Sequence, residues 1–330
     1  MAKKQTIENN KNEKLALNFL KSQTHIIQTP RWAKFKTSTG LRILEYKGIY
    51  LLVKKIPFSN KNIAIAQKVN FNLVDLDFED LKKFLVKNSI AFIRFDVPNV
   101  LNNTQQLIQD KLNKYCIKSI RNTFTQKNIL LFLDKTEDEL LANMHSKRRY
   151  NVRYSTKKGV TTLVESNQKA LDTFYKLHTD TAQRQGFLTK NKSYFKNITD
   201  TYKQDCYFVQ SIYNAEVLTS WLLIYDSETL YYVFGGSSNK HRNFFHSELC
   251  GFEAIKLAKK LNCTMFDLWG AEEGKGFTDF KLKFGAELVE FLPSYDFIVN
   301  SFYHRQFNFI YEGFWKFQKI KNRLLSFRKK

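Results

Sequence analysis

The chain has 330 residues, 43% of them hydrophobic, with 30 Phe, 12 Gly and 4 Pro; this is material for two buried cores and excludes collagen-like and disordered classes. Its formal charge of +22 draws polyanions: nucleic acid, an anionic membrane face or phosphate-bearing substrates. Four cysteines (Cys116, Cys206, Cys250, Cys263) without a CxxC pair and six histidines without HExxH spacing leave no zinc or haem signature, so the thiols read as buried side chains in a reducing compartment.

The N-terminal MAKKQTIENNKNEK is polar, and no apolar run reaches the roughly 18 residues of a membrane span, so a cytoplasmic chain is expected. LRILEYKGIYLLVKK (41–55) predicts a hairpin turning at Lys47-Gly48, and NIAIAQ (62–67) a further strand. DFEDLKKFLVKN (77–88) predicts a helix with apolar residues at 78, 81, 84 and 85 and Asp77 as its cap. SIAFIRFDV (89–97) is a buried strand ended by Pro98. From 137 to 157 one helix is expected: Thr136 and Glu139 make a capping box, Leu140, Leu141 and Met144 open an apolar face, and Gly159 stops it.

In the second half, residues 206–236 predict three strands with turns at Asn214 and Asp226-Ser227. HSELCGFEAIKLAKKLN (246–262) follows as a helix with apolar residues at 249, 252, 255, 257 and 258, and CTMFDLWG (263–270) as a short buried strand. A hairpin sheet, a helix and one more strand thus occur twice, which predicts a duplicated α/β module. The C-terminal FNFIYEGFWKFQKIKNRLLSFRKK places apolar residues at 307, 310, 314, 317, 320, 324 and 327 opposite a lysine-rich face. That helix is expected to pack back on the body, with an anionic membrane surface as the alternative.

Three constellations bear on chemistry. KRRYNVRYSTKK (147–158) holds six basic residues in twelve; Arg149, Arg153 and Lys157 form one helical row beside Tyr150 and Tyr154. Such a surface suits a phosphate chain with exposed bases or sugars, and equally a solvated helix face. Asp96, ending its strand, reads as a general base or as the cap of the following turn. In KGFTDFKLKFGAE (275–287) an extended segment is expected, with Lys281 and Lys283 on one face and Phe280, Leu282 and Phe284 on the other. No GxSxG elbow, P-loop or GxGxxG occurs. The strand and helix order fits the small-molecule acetyltransferase fold, but GGSSNKHRNFFHSEL (235–249) puts bulky residues where a coenzyme A pyrophosphate needs glycine.

Taken together, MHSKRRYNVRYSTKKGV, TAQRQGFLTKNKSYF, FGGSSNKHRNFFHSELCGFEAIKLAKKLNCTMFDLWG and DFKLKFGAELVEFLPSYDFIVN resemble the Fem aminoacyltransferases, with a weaker match through QTPRWAKFK (28–36). The resemblance implies an α/β (α+β) chain of two tandem acetyltransferase-like lobes, each a mixed sheet flanked by helices. They would comprise residues 1–145 with the C-terminal helix 306–330, and residues 146–305. It implies transfer of an amino acid from aminoacyl-tRNA to the stem-peptide amine of a UDP-linked muramyl pentapeptide or lipid II, at most in peripheral contact with the inner membrane face. The lack of a long charged heptad stretch between Gly159 and Cys206 makes this chain similar to the compact, arm-less members.

By position, the resemblance gives Lys36 contact to the precursor diphosphate, with Trp32 as a further substrate-binding residue. Lys190 stands where the family has an arginine for the second contact, a point charge in place of a bidentate fork. Arg184 and Gly186 match a structural turn. Phe280 and Lys281 match the family's Phe-Lys pair, and Lys281 would stabilise the tetrahedral oxyanion or the departing ribose oxygen. Lys147, Arg149, Arg153, Lys157 and Lys283 would meet tRNA phosphates. An aminoacyl ester is already activated, so orientation carries most of the acceleration, with no cofactor, no metal and no enzyme-bound acyl intermediate. The acceptor amine must lose a proton, to Asp96 or to a substrate carboxylate. The rival readings are an acetyltransferase-like enzyme with another donor or acceptor, such as acyl-CoA or a polysaccharide-assembly substrate, and a non-catalytic RNA- or membrane-binding module.

Overall fold

The computed structural model describes residues 20–102 and 105–327, and from residue 318 onward the backbone alone. The polar stretch 1–14 and the side chains of Ile320, Leu324 and Phe327 lie outside the described residues. In chain order the structure begins with α1 (Pro30–Ser38), β1 (Arg42–Tyr46), β2 (Ile49–Lys55), β3 (Asn62–Gln67), α2 (Phe78–Lys87), β4 (Ile90–Asp96), α3 (Gln106–Tyr115) and β5 (Ile117–Lys118). Then come β6 (Lys127–Phe132), α4 (Glu137–Asn143), α5 (Ser146–Lys157), β7 (Thr161–Glu165), α6 (Gln168–Gln185) and α7 (Lys192–Tyr202). They are followed by β8 (Cys206–Tyr213), β9 (Glu216–Asp226), β10 (Thr229–Ser237), α8 (His246–Lys260), β11 (Met265–Ala271), α9 (Gly276–Leu282) and β12 (Glu287–Glu290). β13 (Tyr295–Ile298) and α10 (Ser301–Phe327) complete the described chain.

Two compact units result: one holds the chain up to Phe124 together with Phe291 onward, the other is Thr125–Glu290. These breaks differ from the expected divisions at 145/146 and 305/306, for a reason visible in the strand pairing. β6 pairs with β11 and β12 in the second sheet, whereas β13 lies between β4 and β5 in the first.

The first unit carries a six-stranded mixed sheet in the order β1-β2-β3-β4-β13-β5. Lys47 (φ 46°) and Gly48 (φ 80°) are both left-handed, so a two-residue turn brings Tyr46 opposite Ile49 with the twist that a tight hairpin requires. Asp77 caps α2 by accepting from Glu79 N–H and Asp80 N–H, as its position predicts. The helix then buries Phe78, Leu81 and Leu85 and returns the chain to β4, parallel to β3. Every residue of β4 is buried, Arg94 among them. That guanidinium is bidentate to Asp296 at 2.7 and 2.9 Å, and His304 Nε2 lies 2.9 Å from the same carboxylate. Burial alone would raise the Asp296 pKa; Arg94 and His304 outweigh it and hold the carboxyl below its usual value. This cluster pins α10 to the sheet. Tyr303 and Phe307 of α10 pack on Ile56, Ile63, Ile65 and Phe92, while Phe314 and Phe317 further along are exposed, so the expected packing is seen at Phe307, the start of the stripe, and not at Phe314 or Phe317.

The second unit carries a seven-stranded sheet ordered β12-β6-β11-β10-β9-β8-β7. Its β8-β9-β10-α8-β11 repeats the β1-β2-β3-α2-β4 order: an antiparallel meander, a helix, and a strand parallel to the last. The chain is thus an α/β protein of two mixed sheets flanked by helices, as expected.

Two local expectations are corrected. The helix foreseen over 137–157 is broken at Met144, which is extended, and His145, which is likewise outside the helical region. His145 N–H donates to Lys283 O at 3.1 Å, its Nδ1 accepts from Lys147 N–H, and Arg149 donates to Ala142 O, ending α4. The segment foreseen as extended around Lys281 is the helix α9, so Lys281 and Lys283 do not share a strand face: Lys281 is buried and Lys283 exposed.

Candidate active site

In the second unit β10 and β11 pair only over Thr229–Tyr231 and Met265–Asp267. Beyond that point β10 stays with β9 up to Ser237 and β11 with β6 up to Ala271, so the sheet opens between two parallel strands. A shift in the β10 register between Tyr232 and Phe234, and Trp269 with φ 67° in β11, accompany the parting. Strands that splay at their carboxyl ends leave main-chain groups facing a cleft, the position where α/β sheets bind ligands.

Helix α9 puts Lys281 at this opening. Its Nζ donates to Gly270 O on β11 at 2.8 Å and lies 5.8 Å from the Tyr232 ring centroid on β10. The side chain is 9% exposed, and burial pushes the ammonium down to about 8, with the Asp267 carboxylate opposing. Asp267 is itself held by Trp269 N–H at 2.6 Å. A lysine so placed is still mostly protonated at neutral pH. Gly270 takes one of its three N–H groups, leaving two to offer a developing oxyanion. Phe280 packs between Trp221 and Phe284, so its part is to seat the helix carrying Lys281. A Cβ at Gly251 of α8 would collide with the Phe284 and Trp221 rings, which is why glycine stands there.

Arg148, which sequence reasoning passed over, ties this arrangement together. It is 4% exposed, pairs with Glu248 of α8 at 2.9 Å, donates to Phe280 O at 3.0 Å, and lies 4.3 and 4.7 Å from the Phe280 and Phe284 ring centroids. Burial lowers the guanidinium's pKa against the pull of Glu248, and burial likewise raises Glu248. The signal was in the helical spacing: Arg148, Asn151, Val152 and Ser155 are the buried positions of α5, one row away from the basic row singled out above.

That basic row is not uniform. Lys147, Arg153 and Lys157 are exposed, with Tyr150 and Tyr154 stacked at 5.7 Å beside them, whereas Arg149 is turned back to cap α4 through Ala142 O and Met144 O. One nitrogen of its guanidinium is thus engaged by carbonyls, unlike the exposed cations of the row. Asp96 is corrected as a general base. It is fully buried and accepts from Thr123 N–H, Thr123 Oγ1 and Ser294 Oγ, so its carboxylate is taken up in pinning loops within the first unit.

Trp32 and Lys36 stand one turn apart on α1 and do come together. The Lys36 ammonium lies 5.1 Å from the Trp32 ring centroid, and both line a shallow cleft with Tyr50, Leu52 and Gln67. Lys190 belongs to the other unit, exposed and 5.6 Å from the Tyr194 ring centroid. Arg184 donates to Ser237 O and Gly186 (φ 72°) ends α6, a structural turn as expected. The turn opening α8 carries Arg242, Asn243 and Phe244, with left-handed Phe245 as N-cap. The glycines before it are spent on packing: a Cβ at Gly236 would enter the α6 backbone at Leu177 and His178. The glycine cradle of a coenzyme A site is absent at that turn. No cluster of three potential metal ligands occurs among the described residues, and no described helix is long and apolar enough to cross a membrane.

Comparison with known proteins gives the family and the fold. The FemAB family model matches residues 18–216 and 209–312. The lipid II:glycine glycyltransferase of Staphylococcus epidermidis is 24% identical over 388 residues, covering 87% of this chain and 91% of that protein. The Staphylococcus aureus enzyme of the same name is 22% identical over 381 residues, covering 86% and 90%. Both alignments are longer than this chain, so these relatives carry inserted sequence that it lacks. Among solved structures, FemX superposes with a TM-score of 0.74 at 20% identity, covering 89% of this chain and 98% of FemX. L-PGS from Bacillus licheniformis gives a TM-score of 0.53 at 12% identity over 79% of this chain and 84% of that one. With its two α/β lobes and a family match running through both of them, the chain belongs to the FemAB family.

Proposed function

We propose that this protein transfers an amino acid from aminoacyl-tRNA to the stem-peptide amine of a muramyl peptide precursor, in building peptidoglycan bridges. Family membership and the glycyltransferase names of its relatives make it an aminoacyltransferase. The observation that carries the reading is the buried Lys281 at the opening between β10 and β11. The amine nitrogen attacks the ester carbonyl and forms the C–N bond. Negative charge develops on the carbonyl oxygen, where the Lys281 ammonium donates, and the C–O bond to the ribose then breaks. The amine proton passes to the departing ribose oxygen, so atoms balance without an acyl-enzyme. With Asp96 engaged elsewhere, a substrate carboxylate is the remaining base of the two weighed. Lys147, Arg153 and Lys157 with the Tyr150–Tyr154 stack suit the tRNA end, and Lys283 lies exposed beside Lys281. The Trp32–Lys36 cleft suits the precursor diphosphate.

The test incubates the protein with charged tRNAs and either a UDP-linked muramyl pentapeptide or its lipid-linked counterpart, and weighs the peptide by mass spectrometry. A gain of one amino-acid residue on either acceptor is expected. No gain on both, with transfer from an acyl-CoA, overturns the reading.

A further inference from the structure

Opposite the face that α10 lays on the first sheet, the helix carries a second apolar face. Phe302 is 65% exposed and Phe309 82%; seven residues apart, they project from one side, two turns from each other. Gln306 lies between them on that side and donates to Pro57 O at 3.0 Å and to Phe58 O at 3.4 Å. It thereby holds the loop between β2 and β3 against the helix, with Tyr303 Oη reaching Asn60 of the same loop. Phe58 at the tip is 95% exposed and left-handed (φ 57°), a conformation that bulky residues avoid. Two chain segments far apart in sequence thus present three naked phenylalanines on one surface, one of them at a backbone cost.

The charge carried by these two segments is predominantly positive. The loop is entered through Lys54 and Lys55 and left through Lys61, with no acid between 53 and 62. Arg305 and Lys316 flank the aromatics on α10, and residues 301–330 hold eight Lys or Arg against Glu312 alone. A second copy of the chain docking here by twofold symmetry would set these cations against themselves. The phenylalanines protrude from the surface, which suits insertion into a yielding apolar layer better than docking into a rigid pocket.

We infer that the Phe58–Phe302–Phe309 face seats the protein on an anionic lipid bilayer, with α10 lying in the interface plane and the lysines and arginines on the headgroups. Since no described helix can cross a membrane, the contact is peripheral. The inference is independent of the transfer reaction.

Flotation of the full chain with vesicles of phosphatidylcholine, with and without phosphatidylglycerol, tests it. Wild type is expected to float with the anionic vesicles and far less with the neutral ones. F58S/F302S/F309S and, separately, K54E/K55E/R305E are each expected to lower the partition coefficient at least about tenfold. All six positions lie outside the transfer site, so turnover of a soluble precursor stays unchanged in both variants. Undiminished flotation of either variant overturns the inference. So does wild-type failure to float, or loss in the phenylalanine variant of RNA-oligomer binding or self-association while vesicle binding persists.

Discussion

Replacing Lys281 with Met should make the protein more stable and nearly inactive. Burial depresses the lysine from 10.5 to about 8, so keeping it charged in the folded state at neutral pH costs about 3 kcal/mol. Methionine removes that cost but leaves Gly270 O without its donor, a loss of about 1–2 kcal/mol. The net gain for K281M at pH 7 is therefore about 1–2 kcal/mol. The sign with pH follows from linkage. Because the folded pKa lies below the unfolded one, the unfolded chain binds more protons between about pH 8 and 10.5. Wild-type stability from this group rises with pH across that window, and the full cost is present below it. K281M should lack this slope, and its kcat should fall by about 10²–10³ if the ammonium serves the oxyanion. In wild type, kcat should decline above about pH 8 as Lys281 loses its proton. Urea denaturation at pH 7 and 9.5, paired with transfer assays, reads all of these. A variant less stable than wild type at pH 7, or one keeping kcat within about tenfold, would refute the reasoning.

Asp96→Ala should cost about 1–3 kcal/mol in urea denaturation, because the buried Ser294 hydroxyl and the part-buried Thr123 donors lose their acceptor, while kcat of the folded fraction holds. A selective loss of kcat without loss of stability would restore Asp96 as a base. Arg148→Met should destabilise by about 3 kcal/mol or more by stranding Glu248, and adding Glu248→Gln should recover part of that loss. Equal additive losses in the double variant would show the pair to be uncoupled. Changing Lys147, Arg153 and Lys157 together to Gln should weaken tRNA binding and flatten its log–log salt slope by about 2, read by filter binding.

The repeated module was legible because its signals are local: the Lys47-Gly48 and Asn214 turns, the Asp77 cap and the apolar face of α8 all act within a few residues. Residues 276–282 were not, because Phe280, Leu282 and Phe284 satisfy a period of two while Phe277–Lys281 and Phe280–Phe284 satisfy four, and so short a run cannot choose. The break at Met144-His145 has no glycine or proline to announce it; the carbonyl that claims His145 N–H belongs to Lys283. Asp96 misled for the same reason, since its partners Thr123 and Ser294 are distant in sequence. Lys281 was found as a residue type in a pattern, but its burial and lowered pKa come from strands that part, and only the assembled sheet shows that.

The place of β13 in the first sheet also bears on how the protein is made. β4 and β5 do not pair with each other; β13 lies between them, and Asp296, the partner of Arg94, arrives with it. A ribosome has therefore translated the whole of Thr125–Glu290 before the first sheet can close. The second unit is contiguous and can fold on emerging. The earlier-made segment must wait with its β4 edge unpaired and an arginine without its carboxylate, an order opposite to the usual N-terminal-first sequence. Arrival of β13, and not completion of the first 124 residues, is the event that ends the exposure of that edge.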